Sequence, residues 1–492
     1  MDLVGFGLTA HDSSIAAYKD GKFLYRKAER QFNQKHAHGN MDWAHSVLKE
    51  WDITKYELAE SVLLSGKNPQ KIKEGNKLDH HYSHLLSSSR QLDVHLVLDG
   101  FAFGPADNIM SSQPYTGLFK VANRQAERMF EFATVPVLLN TCIDSKEFSH
   151  YEDFRMDQET FFNFLRDLKN NGKHEDFYKL VQYVDFPGKV MSLQSYGKPN
   201  YKQVEEWVRL GQFRNRTVKE EVMSTPWDLN KIATLHKFCE EITLQRVQGF
   251  PGEFSYSGGI AQNVVINRAM LNSYLKPHID PWAYDGGCSI GALNFLLDKH
   301  NTTERHADWV QDDEAPDDEP DDLTLSEVAE LIAQNKIVGW YQGNGEVGPR
   351  ALGRRSILFN PANEKAKDKV NKIKQREWWR PFGATVLEDK ANQFFDIPIS
   401  RHMLFNSKVI YSGIPGVTHV DGTCRHQTVP DEDSPIQWLL TCLELETGLP
   451  IVLNTSLNMK GKPICSTMKE ALNIFNSTDM DAICIGNKLY KK

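Results

Sequence analysis

The chain has 492 residues, of which 40% are hydrophobic and 25% charged, and its net charge is −8. At about 150 residues per domain this length predicts roughly three domains, and the 32 glycines and 21 prolines are too few for a fibrous or low-complexity protein. Apolar runs fall short of the ~18 to 20 residues of a membrane span, and the N-terminus does not resemble a signal peptide. Seven scattered cysteines without a CxxC pair argue against a disulfide framework or a cysteine-based zinc site. A reducing cytoplasm is therefore the expected location.

The N-terminal residues predict a strand, a polar turn and a hairpin. Residues 2–9 form an apolar strand that ends in small residues, and the turn-like Thr-Ala-His-Asp-Ser-Ser follows. Strands at 15–18 and 23–26 are joined by Asp20-Gly21, a hairpin signal. By analogy, this is how the actin-like ATPase fold begins.

The remaining elements alternate between helix and strand, which predicts an α/β fold in both halves. The predicted helices are 41–52, 55–60, 80–90, 260–272, a helix after Asp285, and 325–335. The predicted strands are 61–64, 95–98, 254–256 and 337–341. Residues 150–240 are charged, aromatic and mostly helical in pattern.

An acidic run marks the expected domain boundary. Residues 312–322 hold eight carboxylates, two prolines and no apolar residue larger than alanine, so we predict a solvated linker. The predicted organisation is a first domain at 1–310, an acidic linker at 311–323 and a second domain at 324–492. Beyond the linker, residues 346–380 carry ten basic and four acidic residues, which suggests an anionic ligand.

A histidine pair is the first candidate site. His80 and His84 are four residues apart, so on a helix they share one face and can bind one metal ion. A surface or capping histidine cluster explains the pattern about equally well. A third ligand is required, and Asp99 after a strand and Asp285 before a helix are the candidates. Asp-Gly is also the commonest turn pair, so neither assignment follows from the local sequence alone.

Glycine-containing turns and a group of basic motifs are the other candidates. Four Gly-containing turns in the first half are interpreted as strand-to-helix turns, and together they favour a nucleotide cleft, although each by itself could be only a tight turn. They are 7–13, 99–100, 257–259 and 286–287. A P-loop motif is absent from the sequence. In the second half, glycines and arginines at 343–356 and basic or amide side chains at 374–382, 419–427 and 454–458 are consistent with phosphate or carboxylate binding. Each of these could also be a loop of satisfied polar residues.

Long phrases of the sequence resemble one family, the O-carbamoyltransferases of nodulation-factor, cephalosporin and tobramycin biosynthesis. The phrases are GLTAHDSS, HHYSH, GKVMSLQSYG, SGGIAQN, DGGCSIGA, NGEVGPRALGRRSIL, REWWRPFGATVLED, VTHVDGTCRHQTV and NTSLNMKGKPI, and they run over nearly the whole chain. The first half is also similar to the universal tRNA threonylcarbamoyl transferase. The second half is similar to the domain that makes threonylcarbamoyl adenylate.

The resemblance implies a fold and a two-step reaction. The fold is an actin-like ATPase domain with an HxxxH metal site, followed by an α/β domain like threonylcarbamoyl-adenylate synthase. Carbamoyl phosphate and ATP give carbamoyl adenylate in the second domain. A hydroxyl of a small-molecule, sugar or nucleoside acceptor then takes the carbamoyl group in the first domain. ATP with Mg²⁺, and iron as the resident metal, are the implied cofactors.

Site residues follow from the same resemblance. Lys374 and Arg380 are expected to be catalytic, and His11 beside Asp12 is the expected base for the acceptor hydroxyl. The residues expected to bind substrates or nucleotide are Arg350, Arg354, Arg425, Asn454, Ser456, Asn458, Ser257, Gly258, Gly259 and Asn263. The expected metal ligands are His80, His84, Asp285 and Asp99. The residues after Asp99 depart from the family's usual Asp-Gly-x-Gly-Glu, which weakens that last assignment.

Two other readings stay open. The first is an ATPase-fold sugar kinase, or a tRNA- or nucleic-acid-modifying (threonyl)carbamoyl transferase, including one that acts on hydroxymethylated pyrimidine in DNA. The near-neutral first half gives little phosphate neutralisation for duplex binding, so charge favours a small acceptor. The second is a nucleotide-binding module without catalysis. The sequence leaves the oligomeric state open, a homo-oligomer included.

Overall fold

The computed structural model describes residues 1–9, 12–62, 76–90, 92–99, 117–122, 125–131, 188–211, 228–250, 252–302, 305–306 and 308–492. It divides into two compact units. The first comprises Met1–Glu29 and His36–Asp308, and the second comprises Arg30–Lys35 and Trp309–Lys492. Within the described ranges, no helix combines the length and apolar character needed to cross a membrane.

Two five-stranded sheets build the first unit. Its described strands are β1 (Asp2–Gly7), β2 (Ser14–Lys19), β3 (Lys22–Lys27), β4 (Tyr56–Val62), β5 (Lys77–Asp79), β6 (Val94–Val97), β7 (Gly117–Ala122), β8 (Gln125–Glu131), β9 (Glu253–Ser257) and β10 (Lys276–His278). The sheet orders are β3-β2-β1-β4-β5 and β10-β9-β6-β7-β8. In each sheet an antiparallel three-stranded meander is extended by two parallel strands. The second sheet thus repeats the strand order of the first.

The helices of the first unit cover these sheets. They are α1 (Ala28–Gln31, whose last two residues fall in the second unit), α2 (Met41–Glu50), α3 (His80–Leu86), α4 (Tyr201–Gly211), α5 (Leu229–Val247), α6 (Val264–Asn272) and α7 (Cys288–Lys299). Apolar residues of α2 pack with alternate residues of β1 and β2 in one buried cluster. Helix α7 approaches β1 so closely that a Cβ at Gly5 would lie 2.1 Å from the carbonyl oxygen of Ser289.

In this unit the structure confirms the predicted hairpin and contradicts one predicted helix. The Asp20-Gly21 hairpin is confirmed, since both residues have positive φ, 49° and 78°, between the antiparallel β2 and β3. The predicted helix at 55–60 is wrong, because β4 occupies Tyr56–Val62 and pairs with β1 and β5 in parallel. Tertiary pairing on both edges overrides the local pattern there.

Gly291 sets the distance between α3 and α7. A Cβ there would lie 1.9 Å from the carbonyl oxygen of Ser83 in α3, a backbone atom that cannot turn away. We expect Gly291→Ala to lower the free energy of unfolding by about 1–3 kcal/mol, because overpacking outweighs the better helix propensity of alanine. Gly252→Ala is the matched control, since nothing lies within 4 Å of a Cβ at that position. Thermal melts of equal midpoint for the two variants would contradict this packing.

The second unit is one eight-stranded mixed sheet with helices on both faces. Its strands are β11 (Val338–Tyr341), β12 (Arg355–Phe359), β13 (Gly383–Leu387), β14 (Ser407–Lys408), β15 (Thr423–Val429), β16 (Ile451–Ser456), β17 (Ala482–Ile485) and β18 (Lys488–Lys491), in the order β14-β15-β13-β16-β12-β11-β17-β18. Its helices are α8 (Asp322–Ala333), α9 (Ala366–Lys374), α10 (Pro435–Thr447) and α11 (Met468–Ser477). Because side chains alternate along a strand, Ile357 and Phe359 face α9 and α11, whereas Leu358 faces α8 and α10.

The acidic segment differs from the predicted solvated linker. It belongs to the second unit, and the Asp313 side chain is only 5% exposed. Its Oδ1 lies 3.1 Å from Nη2 of Arg355, and burial raises the pKa of Asp313 to about 6. The expectation of full solvation is therefore wrong at Asp313, because a buried arginine 42 residues away pairs with it.

Candidate functional site

The first candidate site is a buried cluster of two histidines and two aspartates in the first unit. Asp79 caps α3 by accepting a hydrogen bond from the backbone N–H of His81, and the helix then presents His80 and His84 on one face. Asp99 follows β6, and Asp285 begins the short turn that precedes α7. One ligand atom from each of the four lies within 4.8 Å of the others.

Distances between the ligand atoms fit a metal ion. His80 Nε2 lies 3.2 Å from Asp99 Oδ2 and 3.7 Å from Asp285 Oδ1. His84 Nε2 lies 3.7 Å and 3.4 Å from the same two oxygens. Ligands bound at about 2.0–2.2 Å in tetrahedral geometry are roughly 3.4 Å apart, so these gaps match. Moreover, His84 is fully buried, and its Nε2 faces a carboxylate oxygen of each aspartate, an arrangement that suits a ligand.

The electrostatics of the cluster are strongly coupled. Burial alone would lower the pKa of His80 and His84, but Cys288 and the two aspartates outweigh it and raise both values well above 6.5. The same histidines hold the pKa of Asp99 well below its usual value despite burial. Cys288, the first residue of α7, places Sγ 3.6 Å from His80 Nδ1, on the other side of the ring from the carboxylates. Sequence reasoning missed Cys288, whose proximity depends on the contact between α3 and α7.

The residues expected to line a nucleotide in the first half lie against this cluster. Ser257 Oγ donates to the carbonyl oxygen of His84 at 2.9 Å, and the backbone N–H of Gly259 donates to Asp99 Oδ1 at 3.0 Å. Gly258 has φ of 95°, and a Cβ there would meet the carbonyl oxygen of Leu98 at 2.2 Å. Asn263 caps α6 and contacts His236 Nε2 at 3.0 Å. In this structure these four residues thus stabilise the cluster and its supporting turns, and their contact with nucleotide stays a prediction.

Asp12, the expected neighbour of the base His11, contacts a different histidine in the structure. His11 lies outside the described residues. Asp12 is buried, and its Oδ2 lies 2.6 Å from Nδ1 of His36. Its Oδ1 lies 3.4 Å from the ammonium of Lys27. Sequence reasoning missed His36, since the pairing joins residues 24 positions apart.

The second candidate site is a basic cluster in the second unit, around Lys374 at the end of α9. Lys374 is 4% exposed, and its ammonium donates to the side chains of Ser456 and Asn458 at 3.2 and 2.6 Å and to both of their carbonyl oxygens. Ser456 Oγ contacts Asn458 Oδ1 at 2.7 Å, so the three predicted residues form one network. Burial, and then the charges of Arg376 and Arg380, lower the pKa of Lys374 well below 10.5.

Arg376 and Arg380 act on this lysine and belong to a larger group of arginines. Burial and the mutual repulsion of the guanidinium groups lower the pKa of Arg350, of Arg376 and, to about 10, of Arg425, with Arg380 contributing to each. Because guanidinium groups stay protonated in proteins, these shifts express the free energy needed to bury these groups and to hold like charges together. Arg376 is a member that sequence reasoning missed. It donates to Asn371 Oδ1 and to the carbonyl oxygen of Pro381, and it stacks on Phe382.

Arg354 and Asn454 were also predicted to bind substrates, and their hydrogen bonds join other parts of the second unit. Arg354 is exposed and donates to the carbonyl oxygen of Asn344, whereas its neighbour Arg355 is fully buried over Tyr341. Asn454 is buried in β16 and donates to the carbonyl oxygen of Ala351 and to Thr385 Oγ1. Asn454 thus holds the loop after Arg350, and its contact with substrate stays a prediction.

Glu346 organises the loop that carries Arg350. Its Oε1 accepts the backbone N–H groups of Leu352, Arg354 and Arg355 at 2.7, 2.9 and 3.1 Å. Replacing Glu346 by leucine leaves three donors without an acceptor. The Arg355 donor is buried and the other two are partly buried, so we expect a loss of at least about 1–3 kcal/mol in stability, the cost of one buried orphan. Glu346→Gln keeps an acceptor oxygen and should lose much less, and equal denaturation midpoints for the two variants would contradict this role.

Comparisons with known proteins identify the family. A family model described as carbamoyltransferase C-terminus matches residues 329–492. The nodulation protein NolNO of Sinorhizobium fredii is 38% identical over 48% of this chain and 39% of its own length. An uncharacterized protein of Methanocaldococcus jannaschii is 30% identical over 64% of this chain and 72% of its own length. The 3'-hydroxymethylcephem-O-carbamoyltransferase of Amycolatopsis lactamdurans is 30% identical over 52% and 51%.

The chain belongs to the carbamoyltransferase family. This confirms the family resemblance, and the α/β class is confirmed by the strands and helices of both units. The chain spans between 39% and 72% of the lengths of these three relatives.

Proposed function

We propose that this chain is an ATP-dependent O-carbamoyltransferase. In the first step carbamoyl phosphate, ATP and water give carbamoyl adenylate, pyrophosphate and phosphate. In the second step the hydroxyl oxygen of a small-molecule, sugar or nucleoside acceptor attacks the carbamoyl carbon and AMP leaves. The name of the cephem relative and the family model support carbamoyl transfer to a hydroxyl.

The basic cluster around Lys374 carries this proposal. Lys374, Arg350, Arg376, Arg380 and Arg425 repel one another in a largely buried place, and this repulsion is relieved when anions bind among them. Carbamoyl phosphate and the ATP triphosphate together supply several negative charges. Attack at the α-phosphate also requires that the charge of the approaching anion be screened, which fixed guanidinium groups provide without reorganisation. Ser456 and Asn458 are positioned by Lys374 to orient the carbamoyl or phosphate oxygens.

The buried cluster of two histidines and two aspartates is the proposed site of a resident metal ion. Its ligands would be His80, His84, Asp99 and Asp285. Family resemblance favours iron, and the mixed nitrogen and oxygen donors suit several first-row metals. When bound, such an ion would supply Lewis acidity near a carbonyl or phosphoryl oxygen. The chain's own residues position these ligands: the N–H of Gly259 holds Asp99, and Ser257 Oγ holds the end of α3.

We further propose that the first unit has the actin-like ATPase fold. Its two sheets share one strand order, a meander followed by two parallel strands. The second unit is proposed as the adenylate-forming domain. Its mixed sheet holds the motif at the end of β16 beside Lys374.

An assay without acceptor tests the first step. Purified protein is incubated with ATP, Mg²⁺ and carbamoyl phosphate, and pyrophosphate, AMP and ADP are quantified. We expect pyrophosphate that depends on carbamoyl phosphate. Formation of ADP without pyrophosphate would overturn the adenylate route in favour of a kinase-like ATPase.

A further inference from the structure

The carboxylate of Asp12 and the imidazole of His36 form a buried dyad. His36 Nδ1 lies 2.6 Å from Asp12 Oδ2, and their side chains are 13% and 4% exposed. His36 has a positive φ of 56°, and its backbone N–H donates to Glu29 Oε2 at 3.2 Å. The backbone and the ring of His36 are therefore both fixed by carboxylates.

A lysine compensates the charge of these carboxylates. The ammonium of Lys27, 1% exposed, donates to Glu29 Oε1 at 2.7 Å and lies 3.4 Å from Asp12 Oδ1. Asp12, Glu29 and His36 are close enough together to hold a metal ion. Because Lys27 already bonds to both carboxylates, we assign the trio to proton chemistry instead of metal binding.

This dyad has the arrangement of a general base. A carboxylate at Nδ1 holds the ring in the tautomer that carries its proton there, so that the lone pair lies on Nε2. The same carboxylate stabilises the imidazolium that forms when Nε2 takes a proton. Among the described residues, the charged and titratable groups that face the dyad include Glu29 and Lys27, with the hydroxyl of Tyr284 beside Lys27.

Hydrogen bonds join the dyad to the turn that carries Asp285. Lys27 donates to the hydroxyl of Tyr284 at 2.6 Å, and Tyr284 immediately precedes Asp285. Ser14 and Tyr25 both donate to the carbonyl oxygen of Gly286, at 2.9 and 2.7 Å. The strands that position Asp12 and Lys27 are thus fixed to the turn of the histidine–aspartate cluster.

We propose that His36, oriented by Asp12, accepts the proton of the acceptor hydroxyl in the carbamoyl-transfer step. This rests on the proposed function. The acceptor oxygen forms a bond to the carbamoyl carbon. The bond from that carbon to the phosphate oxygen of the adenylate breaks, and its electron pair leaves with AMP. The hydroxyl proton goes to Nε2 of His36 and then to solvent.

The test separates the two steps in the full-length protein. The first step is measured as carbamoyl-phosphate-dependent pyrophosphate in a single turnover. The second step is measured as AMP release, with either water or added ethanol as the acceptor. With ethanol the product is ethyl carbamate. We expect His36→Ala to leave the pyrophosphate step within about twofold and to slow AMP release by about 10²–10⁴-fold, the usual contribution of a general base. Added imidazole should restore part of the lost rate. Asp12→Asn should also slow AMP release, because it removes the carboxylate that orients His36.

Two control variants complete the design. His38→Ala removes a histidine of the same loop whose Nδ1 contacts the carbonyl oxygen of Thr9 at 2.7 Å, and it should release AMP like the unmodified protein. His11→Ala tests the base expected from the sequence. Normal AMP release by His36→Ala, or a loss that imidazole does not restore at all, would overturn the role of His36. Absence of pyrophosphate from the unmodified protein would instead refute the proposed function, and the role of His36 with it.

Discussion

Replacing Lys374 by methionine should slow carbamoyl-phosphate-dependent pyrophosphate release by about 10²–10³-fold, the effect of removing one preorganised electrostatic contact. The substitution removes a positive charge and the three N–H donors that join Ser456 to Asn458. The remaining arginines still attract the substrates, so we expect the rate to fall more than the affinity for ATP. Single-turnover pyrophosphate release and ATP titration measure the two quantities.

The matched control is Lys372→Met, two residues earlier on α9. Lys372 is 78% exposed and pairs with Asp479 at 3.0 Å, so its loss should leave the rate unchanged. Lys374→Met also leaves buried acceptors unsatisfied and could destabilise the fold. Arg380→Ala therefore provides a second variant, because its side chain is 31% exposed. If Arg380→Ala and a folded Lys374→Met both release pyrophosphate at the normal rate, the basic cluster is not the adenylate-forming site.

Local spacing was sufficient to predict part of the candidate site. The interval between His80 and His84 places both rings on one helix face, and the structure confirms that geometry. Asp99 and Asp285 were only candidates by their positions beside regular elements, and the family resemblance selected them; the structure brings both to the histidines. The departure from the family pattern after Asp99 did not displace it from the cluster.

Other features depend on contacts between distant residues, which local patterns do not contain. Residues 55–60 were predicted as a helix, whereas β4 occupies Tyr56–Val62. Glu57 is accommodated in the strand because Lys299 and His300 bind it and lower its pKa to about 2. Asp313 was predicted to be solvated because the local sequence does not indicate that it pairs with Arg355. His36 and Cys288 were overlooked for the same reason, since each meets its partner only after the chain has folded.

The second large effect is expected at the histidine–aspartate cluster. Replacing His84 by alanine removes one of the proposed ligands and leaves Asp99 and Asp285 buried with one histidine fewer beside them. Loss of an outer partner alone typically lowers metal affinity 10–100-fold, so loss of a direct ligand should lower it by at least about 100-fold. Metal content by mass spectrometry after loading with Fe²⁺, and titration with a competing chelator, give the stoichiometry and the affinity.

His45→Ala is the control, because His45 is an exposed histidine on α2 in the same unit. It should retain one metal ion per chain with unchanged affinity. A His84→Ala protein that binds metal as tightly as the control would show that the cluster is a buried charge network without a resident ion. The outcome also bears on the order of steps. Pyrophosphate formation belongs to the second unit in our proposal, so His84→Ala should leave it intact and impair AMP release alone.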